Sequence, residues 1–145
     1  MSWRPKNETE ADLANESAAA AELSSRWGVK VVKLSPFLYT VDWTLVREER
    51  VIGFAEFKFR TKKHPKTLLS AAKYWKMQEL AKDSGVPVFL IVRWPDDLWA
   101  FKIDATQRWV PKLGGSPRGQ NGDMEPVVYI PTKKFKRVKQ RGEEK

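Results

Sequence analysis

The sequence has no cysteine and a single histidine, His64, among its 145 residues. That excludes a disulfide framework, a thiol nucleophile and Cys/His zinc sites, and it leaves little room for histidine-based acid–base chemistry. No GxSxG motif is present to suggest a serine triad, and neither GxGxxG nor GxxxxGK[ST] occurs to cradle a nucleotide phosphate. Apolar runs fall short of the ~18 residues a membrane span needs, and the N-terminus lacks a signal-peptide pattern, so a soluble, cytoplasmic protein with no membrane partner is expected. Catalysis in such a chain has to rest on carboxylates, lysines and a hard cation such as Mg²⁺, for which carboxylate oxygens are the natural ligands.

Positive charge is what the chain has in excess. With 27 Lys+Arg against 18 Asp+Glu the net charge is +9, which favours a polyanionic partner, nucleic acid before an anionic membrane surface. The length suits one domain, and a domain of this size buries roughly 70% of its unfolded-chain surface, so it folds without metal or disulfide staples.

A helix capped by Asn7 or Thr9 is expected to run through the alanine-rich segment to about Arg26 and to stop at Gly28. Leu13, Glu16, Ala20, Leu23 and Trp27 recur on it at steps of three or four, so Glu16 lies inside the apolar stripe. Glu22 lies about 120° round the helix and reads as solvated. Strands follow at 29–34, 39–46 and 51–60, then a basic loop with Lys58, Arg60, Lys62, Lys63 and Lys66 in nine residues. Residues 66–84 read as a second helix closed by Gly85, its stripe formed by Leu69, Ala72, Trp75 or Lys76, and Leu80, with Lys73 near one edge. The apolar run 86–93 fits a strand covered on both faces and parallel to the third. Strand 98–103, a Gly/Pro-rich loop over 106–126 and a short strand 127–130 complete the domain, and within the loop Trp109 is the candidate to stack on a base. The expected organisation is a domain over 1–132, with its core at 8–103, and a basic tail over 133–145 that carries seven Lys/Arg and two Glu, +5 of the +9.

The stretch Asp42 to Lys58 reads as a hairpin. Glu56 and Lys58 share one side of the second strand, while Ala55, Phe57 and Phe59 line the other. Asp42 comes to the Glu56 side if the turn holds an odd number of residues, such as Arg47 to Val51. A two-residue Glu48-Glu49 turn places it opposite Ala55 instead. Carboxylates gathered in this way repel and raise one another's pKa, a cost that a divalent cation removes.

The order helix, three strands, helix, strand, with Glu16 on the first helix, Asp42 on the second strand and Glu56-Phe57-Lys58 on the third, resembles the PD-(D/E)xK nuclease superfamily, and within it small phage-type nucleases and archaeal Holliday-junction resolvases. The likeness covers roughly Asn15 to Ile103. The namesake Pro-Asp pair is absent, since Val41 precedes Asp42. The resemblance implies a single α/β domain, a central mixed β-sheet flanked by helices with a restriction-endonuclease-like αβββαβ core. It implies Mg²⁺- or Mn²⁺-dependent hydrolysis of phosphodiester bonds in DNA by an endonuclease, in the host cytoplasm if the source is viral. Asp42, Glu56 and the Phe57 carbonyl would hold the ion, with Glu16 completing its shell directly or through water. Lys58 would orient the attacking water and balance phosphoryl charge, and Arg60, Lys62, Lys63 and Lys73 would contact the nucleic acid. Two alternatives stand beside this: a junction resolvase, which requires a two-fold homodimer, and a catalytically inactive DNA-binding accessory protein. Nothing in the sequence reads the sugar, so RNA stays open as a partner.

Overall fold

The computed structural model describes residues 10–34, 41–108, 112–114 and 125–139. Helix α1 (Glu10–Trp27) ends where Gly28 turns left-handed at φ 65°, and the Gly28 N–H donates to the Ser24 carbonyl at 2.9 Å. It is followed by β1 (Lys30–Lys33), β2 (Trp43–Arg47), β3 (Arg50–Phe59) and β4 (Lys66–Ser70). Helix α2 (Ala71–Ser84), β5 (Val88–Arg93), β6 (Leu98–Lys102), β7 (Lys112–Gly114), β8 (Glu125–Pro131), a short 3-10 turn (Thr132–Lys134) and β9 (Lys136–Arg137) complete the order.

Six strands form the main sheet in the order β1-β2-β3-β5-β6-β9, and β4-β8-β7 form a smaller one. The sheet is mixed because β3 and β5, joined through α2, pair in parallel while the neighbouring pairs are antiparallel. Period-two alternation divides its side chains between two cores. Trp43, Leu45, Ala55, Phe57 and Ile91 pack with Ala19, Ala20 and Leu23 of α1. Val88, Leu90 and Val92 pack on the other side with Tyr74 and Met77 of α2 and with Val128 and Ile130 of the small sheet. Strand β5 is therefore covered on both faces, as its unbroken apolar run requires.

Three expectations need correction. Residues 66–84 are not one helix: Lys66–Ser70 is a strand paired antiparallel with β8, with Thr67 and Leu69 buried at alternate positions. Helix α2 starts only after Ser70, whose Oγ accepts from the Lys73 N–H at 3.3 Å. That start rotates the buried stripe to Ala71, Tyr74 and Met77 and leaves Trp75 half exposed. The basic tail begins later than 133, because Phe135 and Val138 are buried and β9 pairs with β6, giving the main sheet its last strand. Glu22 is not a freely solvated carboxylate either; it is only partly exposed, ion-paired with Arg26 one helical turn on and with Arg93 of β5, which projects towards α1. Trp109 and residues 140–145 lie outside the described residues.

Candidate active site

The hairpin β2–β3 turns through two residues, Glu48 and Glu49, both left-handed (φ 51° and 63°), as a type I′ turn demands. By the parity rule this turn alone would set Asp42 opposite Ala55. A bulge reverses that outcome. Val46 pairs with Val51 but Leu45 pairs with Gly53, so Ile52 is an extra residue on β3, and beyond it Trp43 pairs with Ala55. Asp42, one residue further out, is thereby brought against Glu56. Gly53 belongs to the same device, since a Cβ there would lie 3.1 Å from the Pro87 carbonyl oxygen and 3.2 Å from Leu45 Cδ1. Its small size lets β3 approach Pro87, whose carbonyl accepts from the Phe54 N–H at 2.9 Å.

Glu56 and Lys58 point to the α2 side of the sheet, opposite Leu90 and Val92 in the parallel ladder. Helix α2 adds Lys73, with its Nζ 3.4 Å from Glu56 Oε2. The other carboxylate oxygen, Glu56 Oε1, is buried with no hydrogen-bond partner. Burial raises the Glu56 pKa from 4.5 to about 7; Lys73 and Lys58 oppose the rise and Asp42 adds to it. Lys58 is pushed below its ordinary value, first by burial, then by Arg60 two residues along the same strand face, with Lys73 acting in the same direction and Glu56 against it. Burial also lowers Arg60. Asp42, Glu56, Lys58 and Lys73 thus form one electrostatic cluster, with Arg60 at its margin.

Glu16 is placed apart from that cluster. Its Oε1 accepts from Lys33 Nζ at 2.9 Å and from the Trp43 indole N–H at 3.2 Å, on the side of the sheet where α1 packs. Phe57 also turns its ring to that side, edge-on to Trp43 with centroids 5.7 Å apart, so only its backbone is available to the Asp42–Glu56 side. Among the described residues no three His, Cys, Asp or Glu side chains converge as a metal-binding group. The donor set at hand is Asp42 and Glu56. Two carboxylates suit Mg²⁺, which keeps several waters and takes further oxygens from a phosphate substrate, and the unpartnered Glu56 Oε1 is the kind of atom such an ion would satisfy.

In the basic loop, Lys62 is exposed, whereas Lys63 is bonded to Asp96 at 3.0 Å and lies over the Trp99 ring at 3.8 Å. His64 presents its backbone, the carbonyl accepting from the Thr132 hydroxyl. Thr44 was not singled out from sequence. It lies two residues from Asp42 on the same side of β2, and its Oγ1 is buried without a partner. Strand alternation from Asp42 was the signal that could have found it.

A family model described as "Phage putative PDDEXK endonuclease" matches residues 2–138. Among solved structures, Hjc of Archaeoglobus fulgidus, a Holliday junction resolvase from an archaeal hyperthermophile, is similar with a TM-score of 0.56 and 15% sequence identity, over 82% of this chain and 82% of that one. At that identity the likeness is one of fold. No curated protein sequence matches the chain.

Proposed function

Because the chain belongs to the phage PD-(D/E)xK endonuclease family, we propose that it hydrolyses phosphodiester bonds in DNA with Asp42, Glu56 and the Phe57 carbonyl seating a Mg²⁺ or Mn²⁺ ion. The observation that carries this reading is Glu56 itself: a carboxylate buried beside Asp42, with one oxygen unpartnered and the other facing Lys73. When bound, the ion polarises the phosphodiester and makes a water nucleophilic near neutral pH. Lys58, fixed by β3 two residues from Glu56, carries N–H donors at the place where phosphoryl charge grows. Its lowered pKa also lets it exchange a proton more readily than an exposed lysine. Arg60, Lys62 and Lys73 supply cationic contacts to the strand, while Lys63 contributes less because Asp96 and Trp99 already engage it. Glu16 acts as a positioning residue: by holding Trp43 and Lys33 it fixes the end of β2 from which Asp42 projects.

The test is incubation of the purified protein with plasmid, single-stranded and branched DNA, and with RNA, in Mg²⁺, Mn²⁺ or EDTA. Cleavage of DNA that EDTA abolishes is expected. Cleavage indifferent to EDTA would overturn the ion seat, and salt-dependent binding without cleavage in either ion would favour a DNA-binding accessory role.

A further inference from the structure

We propose that Lys73 is the resident cation of the carboxylate seat: without a divalent ion it occupies the place on Glu56 that the ion takes, and ion binding releases it towards the substrate phosphate. This rests on the reading of Asp42 and Glu56 as an ion seat. Three observations lead to it. The Lys73 ammonium lies 3.4 Å from Glu56 Oε2, and its side chain is 34% exposed against 13% for Glu56, so the lysine reaches the carboxylate from the solvent side. Lys73 is in the first turn of α2, three residues after the Ser70 cap, where the helix macrodipole disfavours a cation. Glu56 is the partner that offsets this.

Charge balance supplies the third observation. Asp42 and Glu56 share their cluster with Lys58 and Lys73, so two carboxylates already meet two cations before any ion enters, with Arg60 beyond Lys58 adding further positive charge. A divalent ion added to that set leaves a strong positive excess, which is relieved when one cation departs. Lys58 is carried by β3 and is partly buried, and Arg60, one residue past that strand, has its guanidinium bonded to the Phe59 carbonyl at 2.9 Å. Lys73, on a flexible four-carbon stem at the helix surface, is the one able to swing out. The same movement would deliver an ammonium to the mouth of the site as a phosphate arrives.

Two measurements on DNA-free protein test this. Calorimetric titration with Mg²⁺ should show Lys73→Met binding about tenfold more tightly than the wild type, a difference of about 1.4 kcal/mol. Amine-reactive labelling of the wild-type protein, quantified at Lys73 by mass spectrometry, should rise when Mg²⁺ is added, whereas an amine that stays paired would be labelled equally or less. Equal or weaker Mg²⁺ binding by Lys73→Met, or labelling indifferent to Mg²⁺, would overturn the exchange while leaving the ion seat intact. Absence of Mg²⁺ binding by both proteins would overturn the seat as well. The labelling arm uses the wild type, so it decides the matter even if Lys73→Met fails to fold.

Discussion

Replacing Glu56 with glutamine should make the protein more stable at alkaline pH and inactive at every pH. The carboxyl titrates at about 7 in the fold against an ordinary 4.5, so the folded state holds the proton more tightly than the unfolded chain. The stability that this confers is complete below about pH 4.5 and is lost as pH rises through about 7. Above that, carrying the charge in its buried place costs about 3 kcal/mol relative to the protonated form, a large share of the 5–15 kcal/mol typical of a whole domain. Glutamine keeps the shape and removes the charge. Its own buried amide and the loss of the Lys73 pair offset part of the gain. Urea denaturation of both proteins without divalent ions should therefore give a difference that grows by up to about 3 kcal/mol between pH 4.5 and pH 8. Addition of Mg²⁺ at pH 8 should stabilise the wild type, by about 2.7 kcal/mol at a hundredfold excess over its dissociation constant, and not the variant. A difference that stays flat with pH, or a wild type whose contribution from this group grows towards alkaline pH, would refute the burial of Glu56.

Three further outcomes follow from the same geometry. Glu48→Asn with Glu49→Gly relieves two left-handed non-glycine residues in the hairpin turn and should stabilise the fold by about 1 kcal/mol or more in denaturation, with cleavage unchanged; loss of cleavage would mean that the turn rather than the bulge sets the site. Glu22→Gln breaks the ion pairs to Arg26 and Arg93 and should lower stability while sparing cleavage, whereas Glu16→Gln should lower cleavage about tenfold or more while leaving Mg²⁺ affinity within a factor of about three; a collapse of Mg²⁺ affinity in Glu16→Gln would make Glu16 a ligand instead.

What the sequence disclosed was whatever local periodicity controls. The shared side of Glu56 and Lys58 follows from the pleat, the end of α1 from Gly28, and the two-sided burial of β5 from its composition. What it concealed depends on distant partners. Leu69 reads as part of a helical stripe, and Thr67 as a residue of the same helix, until β8 arrives to pair with their strand from some sixty residues away. Phe135 and Val138 are diluted by lysines and look like tail, yet each finds a separate core, Phe135 against Trp94 and Val138 beside Leu98. Lys73 reads from sequence as a phosphate-contact candidate, and its pairing with Glu56 emerges only once the start of α2 at Ala71 fixes its direction. Glu22 needed Arg93, whose direction was legible only once the face of β5 turned to α1 was known.

The bulge at Ile52 is the clearest case of a non-local requirement that left a local trace. Between Asp42 and Glu56 a two-residue turn leaves five residues on one strand, Trp43–Arg47, and six on the other, Arg50–Ala55. Unequal arms cannot pair one to one and still bring Asp42 against Glu56. Either the turn takes up the odd residue or a strand does. A type I′ turn matches the twist of the flanking strands, and this hairpin adopts one even though it places two glutamates in the left-handed region. The odd residue is therefore left on β3, next to Gly53, and a glycine inside a strand is the mark of a bulge or of a close backbone approach. Here it marks both, because the absent Cβ is also what lets Pro87 come within reach of β3. The position that carries no side chain thus helps to decide which side of the sheet Asp42 faces, and with it whether two carboxylates meet.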